Sequence, residues 1–368
     1  MALARLTAAP TPLSDRAAAV LLAACTVLLG CGADTPAAPT PTRPATLTTA
    51  ASPTARPDAS SLATAVASAA ATASPSASAP LTSAALRDGI TVDAIRRHLE
   101  QLQGIADAHG GDRAAGTAGF DASVAYVAER LTAAGYTVAS QPFTYPAGAG
   151  VNLIAERSGP EDAEVVVLGA HLDSSPGSPG INDNGSGSTT LLALAEALTA
   201  LDPARRTIRF AFWGAEEPGR FGSTAYVAAL SEDERSRITA YLNLDLIGST
   251  NFIRFAYDEP TAPPGSAALT SLFDAYFDEL GLPWEPIDLA GKSDHAAFAA
   301  AGIPTGGLFS GGREPKTDSQ AAAFGGTVGL PADGCADHAC DTIANVSDVI
   351  LDQMADAAAH ALATLATR

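Results

Sequence analysis

The fold is decided by the stretch EVVVLGAHLD, residues 164–173. Its first half is almost continuously apolar, and such a run predicts a β-strand that is buried on both faces of a sheet. Two more strands of this kind follow, TIRFAFWG at 207–214 and TAYLNLDLIG at 239–248. Helical patterns at 186–201 and near 223–230 separate the three strands. This alternation predicts an α/β fold with a mixed, centrally parallel β-sheet flanked by helices.

The chain before this stretch continues the pattern. VDAIRRHLEQLQGIADA, residues 92–108, and FDASVAYVAERLTAAGY, residues 120–136, have apolar residues at helical spacing. Alternating strands are predicted at 137–145 and 151–156. We therefore predict one folded domain over residues 88–368, a length that a single α/β core can support.

The first 31 residues predict export. The apolar run AAAVLLAACTVLLG, residues 17–30, follows a basic residue and is too short to span a bilayer comfortably, which is typical of a signal peptide. It ends in Leu-Leu-Gly-Cys, which resembles the lipobox of bacterial lipoproteins and makes Cys31 the predicted lipid anchor. Cys25 is a second candidate, and an ordinary signal peptide with incidental cysteines is the alternative. Membrane contact is expected only through that lipid, on a cell-surface lipoprotein or a secreted protein.

Residues 32–87 are almost wholly Ala, Pro, Ser and Thr. Such a segment cannot bury enough apolar surface to offset the entropy of the chain. We predict a disordered tether, stiffened by proline, between the lipid anchor and the folded domain.

The charge balance restricts the partners. With 21 Lys and Arg residues against 40 Asp and Glu residues, the formal net charge is −19. That balance argues against nucleic acid and against an anionic membrane surface as partners. We expect a soluble domain, a monomer, with a site built from carboxylates.

Polar side chains follow each of the three buried strands. His171 and Asp173 end the first, Glu216 and Glu217 follow the second, and Asp245 ends the third. The carboxyl ends of parallel strands meet at one edge of a sheet, where ligands bind in open α/β folds. Imidazole and carboxylate groups that converge from rigid elements are what a metal site needs.

A glycine-rich loop, GINDNGSG at 180–187, lies between these strands and precedes a helix. Its glycines allow tight turns, and its carboxylate, Asp183, could bridge two cations. Two zinc ions about 3.5–4 Å apart would activate one water as a nucleophile. A free carboxylate beside them could act as general base, and Glu216 is the natural choice.

Several segments in order resemble a known family. These are GDRAAGTAGFDASVAYVAERL, HLDSSPGSPGINDNGSG, FWGAEEPGRFGS, LNLDLIGS and KSDHAAFAAAGIPTGGLFSG. Together they are similar to the secreted bacterial di-zinc aminopeptidases, the leucine-aminopeptidase-like zinc exopeptidases, over residues 90–365. The resemblance implies the zinc-exopeptidase fold, two co-catalytic zinc ions, and release of N-terminal residues from peptides and proteins.

The resemblance also implies roles for individual residues. His171 and Asp245 would bind one zinc ion, Glu217 would bind the second, and Asp183 would bridge the two. Glu216 would take a proton from the bridging water and pass it to the leaving amine. Asp173 would orient His171 through the second ring nitrogen of that histidine.

The fifth ligand departs from the family pattern, which is Cys-Tyr-His-x-x-Cys. This chain has Cys335-Ala336-Asp337-His338-Ala339-Cys340. By strict register Asp337 takes the ligand position and Ala336 the position of a tyrosine that holds the reacting carbonyl. We favour His338 as the ligand because imidazole suits zinc, with Asp337 as the alternative. The cysteines are predicted to form a disulfide in an oxidising compartment.

Asp294, in KSDHAAF, is predicted either to position the substrate or to pack behind the site. Two other functions compete with the aminopeptidase. One is a mono-zinc cyclase of N-terminal glutamine on the same fold. The other is a catalytically impaired relative that binds rather than cuts, which the altered loop at 335–340 favours. No GxSxG motif of a serine hydrolase occurs in the sequence.

Overall fold

The structure, a computed structural model, describes residues 78–160 and 163–368. The predicted signal peptide, the lipid anchor at Cys31 and most of the tether lie outside the described residues. Within the described ranges, no helix has both the length and the apolar character needed to cross a bilayer.

Helices and strands alternate along most of the chain. The helices are α1 (Ser83–Gly89), α2 (Val92–Ala108), α3 (Ala118–Ala133), α4 (Gly187–Leu198), α5 (Phe221–Ala229), α6 (Glu232–Arg237), α7 (Ser266–Glu279), α8 (His295–Ala300), α9 (Asp318–Phe324) and α10 (Asp348–Thr367). The strands are β1 (Thr137–Tyr145), β2 (Gly148–Arg157), β3 (Val165–His171), β4 (Thr207–Trp213), β5 (Ile238–Leu244), β6 (Phe255–Tyr257), β7 (Glu285–Ile287) and β8 (Thr305–Phe309). The elements predicted between residues 92 and 248 are all present, with ends that differ by a few residues.

One sheet of eight strands runs through the molecule, in the order β1-β2-β4-β3-β5-β8-β6-β7. The four central strands β4, β3, β5 and β8 are parallel to one another. Antiparallel pairs flank them, β1 with β2 and β2 with β4 on one side and β6 with β8 on the other. The predicted mixed sheet with a parallel centre is confirmed.

Strand β3 lies at the centre of the core, and every one of its residues is buried. Helix α4 packs against it and is itself buried along nearly its whole length. This burial explains the apolar runs in the sequence, because a central parallel strand meets helices on both faces. The carboxyl ends of β3, β4 and β5 are thereby held rigidly at one edge.

Helix α1 begins before residue 88, the predicted start of the domain. The expected boundary at residue 88 falls inside α1, whose N-terminus is capped by the Thr82 hydroxyl accepting from the Ala85 amide at 3.1 Å. Leu86 is fully buried, and α1 packs against α10. Residues 83–87 therefore pack against the rest of the described fold, and the predicted tether runs to residue 87. The seven residues of the helix are too short and too rich in Ala and Ser for the sequence pattern to separate them from what precedes.

Candidate metal centre

The predicted site residues meet at the carboxyl edge of the central strands. His171 is the last residue of β3, Glu216 and Glu217 follow β4, and Asp245 follows β5. His171 and Asp245 are almost completely buried. The three neighbouring parallel strands therefore end at the same edge of the sheet, and the polar side chains that follow them lie close together, as the sequence predicts.

His171 lies between two carboxylates. Its Nε2 is 3.4 Å from Oδ1 of Asp183 and 3.4 Å from Oδ1 of Asp245. Charge-assisted hydrogen bonds are shorter, about 2.7–2.9 Å. A tetrahedral zinc ion with bonds of about 2.0–2.2 Å separates two of its ligand atoms by roughly 3.3–3.6 Å. The spacing of these three groups therefore fits a shared cation better than direct hydrogen bonds.

Asp183 reaches the site from an irregular turn, residues 181–186, that precedes α4. The turn is completely buried, and its segment contains a cis peptide bond between Asp183 and Asn184. The amides of Asn182 and Asp183 each donate to the carboxylate of Asp341 at 2.9 Å. The backbone beneath the predicted bridging residue is therefore fixed by a second, deeper carboxylate.

Glu217 occupies the other half of the site. Its Oε2 accepts from the Ser175 hydroxyl at 2.7 Å, and that hydroxyl also lies 2.5 Å from Oδ1 of Asp337. One hydroxyl has one proton to donate, so the two carboxylates share it. His171, Asp183 and Glu217 each offer a ligand atom within 4.8 Å of the others. Glu217 and Asp337 thus form the outer side of a cluster that His171 and Asp183 begin.

The structure places the two candidates for the fifth ligand differently. The His338 residue is exposed, and its backbone carbonyl accepts from the Ser178 hydroxyl at 2.9 Å. Asp337 instead takes a left-handed conformation, with φ of 60°, and brings its carboxylate to Ser175. Asp337, the alternative that strict register with the family pattern gives, is therefore the candidate whose carboxylate lies beside the cluster. The predicted disulfide between Cys335 and Cys340 is present, with Cα atoms 5.2 Å apart.

Asp173 contacts His171 through its main chain. Nδ1 of His171 lies 3.0 Å from the backbone carbonyl of Asp173 and 3.9 Å from its carboxylate. The carboxylate instead accepts from the amides of Glu216, at 3.0 Å, and Glu217, at 3.3 Å. Asp173 therefore orients His171 through its main chain and fixes the turn that carries both glutamates through its side chain.

Buried oxygen atoms without partners mark the same place. Within the described residues, Oδ1 of Asp245 and Oε1 of Glu217 are buried and accept no hydrogen bond. An unpaired buried carboxylate oxygen costs free energy unless a cation or a donor satisfies it. Oδ1 of Asp245 is the very atom that faces Nε2 of His171. The donor set of imidazole and carboxylate groups therefore fits a small divalent metal such as zinc.

Burial of several carboxylates close together also determines the protonation of the cluster. Burial raises the pKa of Asp183 to about 7 and that of Glu217 to about 9. Burial lowers the pKa of His171, but the carboxylates of Asp183 and Asp245 outweigh it and raise that pKa well above its usual value. Excess negative charge in a small volume thus holds protons, and a bound cation would displace them.

Glu216 stands beside this cluster without belonging to it. Among the described residues nothing donates a hydrogen bond to its carboxylate, and burial raises its pKa well above the usual value, with Asp294 among the charges that raise it further. Asp294 is 1% exposed, and neither of its carboxylate oxygens has a hydrogen-bond partner in the described part of the chain. Asp294 therefore lies behind the surface of the site in this conformation.

A cavity of about 640 Å³ opens on the cluster. Asp183, Asp245 and Asp337 line it at the metal-binding end. Most of its wall is apolar and comes from β6, β7, β8 and the segments beside them, including Leu246, Ile253, Phe255, Ile287, Leu289 and Phe309. Ala336, in the position of the family's tyrosine, also lines it and leaves that space open. The site can therefore receive a substrate with a large side chain.

Arg113 is a functional residue that the sequence reasoning missed. It is fully buried, and its guanidinium donates to the carbonyls of Pro179 at 3.0 Å, Gly180 at 2.6 Å and Leu172. Burial lowers its pKa to about 10, so that it remains charged at neutral pH. It ties together the two ends of the loop between His171 and Asp183. In the sequence Arg113 is a single basic residue in the segment GDRAAG, and no pattern of charge or spacing separates it from a surface arginine.

Asp333 and Asp341 form a second missed group, on either side of the disulfide. Asp333 is fully buried and accepts from the amides of Cys335 and Ala336 and from the side chain of Asn182, while Asn345 donates to both aspartates. This network joins the loop that carries Asp337 to the turn that carries Asp183. Burying a carboxylate costs free energy unless its oxygens accept hydrogen bonds, and the carboxylates of both aspartates accept several.

Backbone strain concentrates at the site. Three of the five non-glycine residues with positive φ in the described chain are Ala215, before Glu216, Leu246, after Asp245, and Asp337 itself. Such conformations cost on the order of 1–3 kcal/mol each and persist where the surrounding structure imposes them. Here each of these residues turns the backbone so that the neighbouring carboxylate, or its own in the case of Asp337, faces the cluster.

Comparison with known proteins agrees with this arrangement. The model of peptidase family M28 matches residues 152–362. The chain belongs to this family. The matched range of the M28 model contains every predicted metal ligand and Glu216, the predicted general base.

Two curated relatives are more similar in sequence than the solved structures. Leupeptin-inactivating enzyme 1 from Streptomyces exfoliatus is 45% identical over 275 residues, covering 74% of this chain and 61% of its own. An aminopeptidase of Pseudomonas aeruginosa is 46% identical over 214 residues, covering 56% of this chain and 40% of its own. The M28 chain thus spans about 40–61% of the length of these relatives.

A solved structure shares the fold. BSAP, a zinc aminopeptidase from Bacillus subtilis, superposes with a TM-score of 0.63 at 18% identity, over 78% of this chain and 96% of its own. At that identity the likeness establishes the architecture of the M28 domain and nothing further about its chemistry.

Proposed function

We propose that this M28 chain is a zinc-dependent aminopeptidase that hydrolyses N-terminal residues from peptides. The observation that carries the proposal is the cluster of His171, Asp183, Glu217 and Asp245, with buried oxygens that lack a donor, at one end of a large open cavity. The names of the relatives, an aminopeptidase among them, support the same activity.

The proposed centre holds two zinc ions. His171 and Asp245 would bind one, Glu217 and Asp337 the other, and Asp183 would bridge them. When bound, such a pair supplies Lewis acidity and lowers the pKa of a water to near neutrality. Asp337 replaces His338 in this set because its carboxylate, and not the exposed imidazole, lies beside Glu217.

Glu216 acts as general base. Its carboxylate stands next to the cluster but has no hydrogen-bond partner among the described residues, so it is free to accept the proton of the attacking water. The protonated carboxyl then gives that proton to the nitrogen of the leaving amine. Asp173 holds the backbone amide of Glu216 at 3.0 Å and keeps the general base in place.

Asp294 supports the general base from behind. It is buried in the same acidic surroundings, and the Asp294 charge raises the pKa of Glu216. A general base works best with a pKa near the working pH, and an ordinary carboxyl has a pKa below it. We therefore assign it a positioning and tuning role rather than contact with substrate.

The experiment that tests the proposal is hydrolysis of a leucine chromogenic amide by the purified full-length protein, with its metal content measured in the same samples. About two zinc ions per chain and loss of activity with a chelator support the proposal. One zinc ion per chain and ring closure of N-terminal glutamine would replace it with the cyclase. A well-folded protein with neither metal nor turnover would indicate the impaired relative.

The location of the enzyme is also a proposal. The apolar run at 17–30 and Cys31 support export and lipidation, and the disulfide between Cys335 and Cys340 suits an oxidising compartment. Residues 32–77 would then tether the domain to the membrane. Fractionation of cells that express the protein tests this idea, because a Cys31→Ala variant should move from the membrane to the soluble extracytoplasmic fraction. Retention in the cytoplasm would contradict export itself.

A further inference from the structure

The cavity beside the metal centre has a charged far end. Glu285, the first residue of β7, lines the cavity together with Gln320. Its Oε2 accepts from Nε2 of Gln320 at 2.9 Å, and no Lys or Arg in the described ranges forms an ion pair with it. A half-buried carboxylate with only an amide as partner has capacity for a cation.

Strand order places this carboxylate at a defined distance. β7 is separated from β5 by β8 and β6, and neighbouring strands lie about 4.8 Å apart, so the backbone of Glu285 lies roughly 14 Å from the strand that leads to Asp245. A lysine side chain extends about 6 Å from Cα to its nitrogen, and a glutamate side chain about 4 Å toward it. These two lengths together, about 10 Å, span most of the distance between β7 and β5.

The other charges in the cavity do not cancel Glu285. Arg313 lines the cavity but is tied to Asp337 and to the carbonyl of Ala336. Lys292 lines it as an exposed side chain. Asp288 and Glu314 add further negative charge at the exposed edge. A basic group that enters therefore meets a net negative field.

The apolar wall of the cavity provides a surface for the methylene groups of a basic side chain. The stem of a lysine or arginine is apolar, and these side chains bury their methylene groups against apolar surface while the charged end finds a polar partner. Ile287 and Leu289, on the same side as Glu285, and Phe255 and Phe309 provide that surface. A leucine side chain is too short to reach Glu285 and would end among these residues.

We propose that the cavity selects substrates whose N-terminal residue is lysine or arginine, with Glu285 as the residue that binds the basic end. The inference rests on the proposed aminopeptidase activity and specifies its substrate class. Glu285 is a specificity-determining residue and takes no part in bond cleavage.

The test compares kcat/KM for lysine, arginine, leucine and glutamate chromogenic amides. The wild-type protein should prefer lysine or arginine to leucine and should cleave the glutamate amide least. Glu285→Gln keeps the shape and the contact with Gln320 but removes the charge, and should lower the ratio of lysine to leucine turnover about tenfold. High salt should reduce the wild-type preference, because the pair is partly exposed to solvent.

The control is Glu279→Gln, the same exchange at an exposed position at the end of α7, outside the cavity. It should leave the ratio unchanged. A wild-type preference for leucine, or an equal ratio in Glu285→Gln and wild type, would overturn the inference while leaving the aminopeptidase intact.

Binding of free L-lysine, measured by calorimetry, distinguishes failure of the proposed activity from failure of the proposed specificity. If no amide is cleaved but L-lysine binds more tightly than L-leucine, and does so only with Glu285 present, the cavity assignment stands and the activity fails. If neither amino acid binds and no amide is cleaved, both are refuted.

Discussion

Two parts of the centre are built differently. The floor consists of the residues at the strand ends and the turn before α4, namely His171, Asp183, Glu216, Glu217 and Asp245. The rim loop is residues 333–341, which carries Asp337 and is closed by a disulfide. The floor stands on buried parallel strands, whereas the rim loop is partly exposed and depends on its hydrogen bonds. The fold therefore fixes the floor, whereas the disulfide and local hydrogen bonds fix the rim loop.

The largest effect is expected on the floor, at Glu216. Replacing Glu216 with Gln removes the proton acceptor without changing the size of the side chain. General-base catalysis typically contributes about 10²–10⁴-fold, so kcat should fall by that factor. Metal content should not change, because Glu216 lies outside the ligand cluster. Loss of metal together with activity would mean that Glu216 is a ligand, and would contradict the assigned role.

Arg113 tests whether the floor depends on its buried support. In Arg113→Met three buried carbonyls lose their donors, and the free energy of unfolding should fall by about 3 kcal/mol or more. Urea unfolding measures this change. The loop between His171 and Asp183 also loses its tie, so zinc affinity should decrease in protein that remains folded.

A surface arginine provides the matched control. Arg96 pairs with Asp348 where both side chains are partly exposed, and Arg96→Met should change stability by less than about 1 kcal/mol. Equal effects at the two positions would mean that the carbonyl cluster around Arg113 does not stabilise the protein.

The sequence predicts the floor well because its signals are periodic and local. A buried strand followed at once by His or Asp, as at 165–173, places a polar group at the sheet edge whatever the rest of the chain does. The parallel centre of the sheet also follows from alternation. The short edge strands β6 and β7 and helix α1 carry too few residues for a pattern.

The rim loop resists prediction for a physical reason. Whether Asp337 or His338 faces the cluster depends on the backbone at Asp337, where φ is positive; aspartate tolerates that conformation but does not require it. The supports Arg113 and Asp341 are equally hidden, because their partners are backbone groups distant in sequence. Sequence patterns identify elements and strand ends, but they do not identify what a buried charge will bind.

The next effect in size distinguishes the two candidates on the rim loop. Asp337→Ala should weaken binding of the zinc ion that Glu217 shares, by more than the 10–100-fold that loss of an outer partner typically costs. His338→Ala should leave zinc affinity and activity unchanged, because its side chain is exposed. Competition with a chelator measures both variants. The reverse pattern would restore His338 as the ligand and would require the loop to rotate when metal binds.

The smallest effect is expected from the disulfide. Closing a loop of six residues between Cys335 and Cys340 contributes about 2 kcal/mol in the chain-entropy model, and the double exchange to Ser should remove that amount or less. Asp333 and Asp341 hold both ends of the loop through hydrogen bonds that do not involve sulfur. The zinc ion bound by His171 and Asp245 should therefore keep its affinity, while the one that depends on Asp337 should bind more weakly. If both affinities fall equally, the rim loop and the floor are one mechanical unit, and the distinction between them fails.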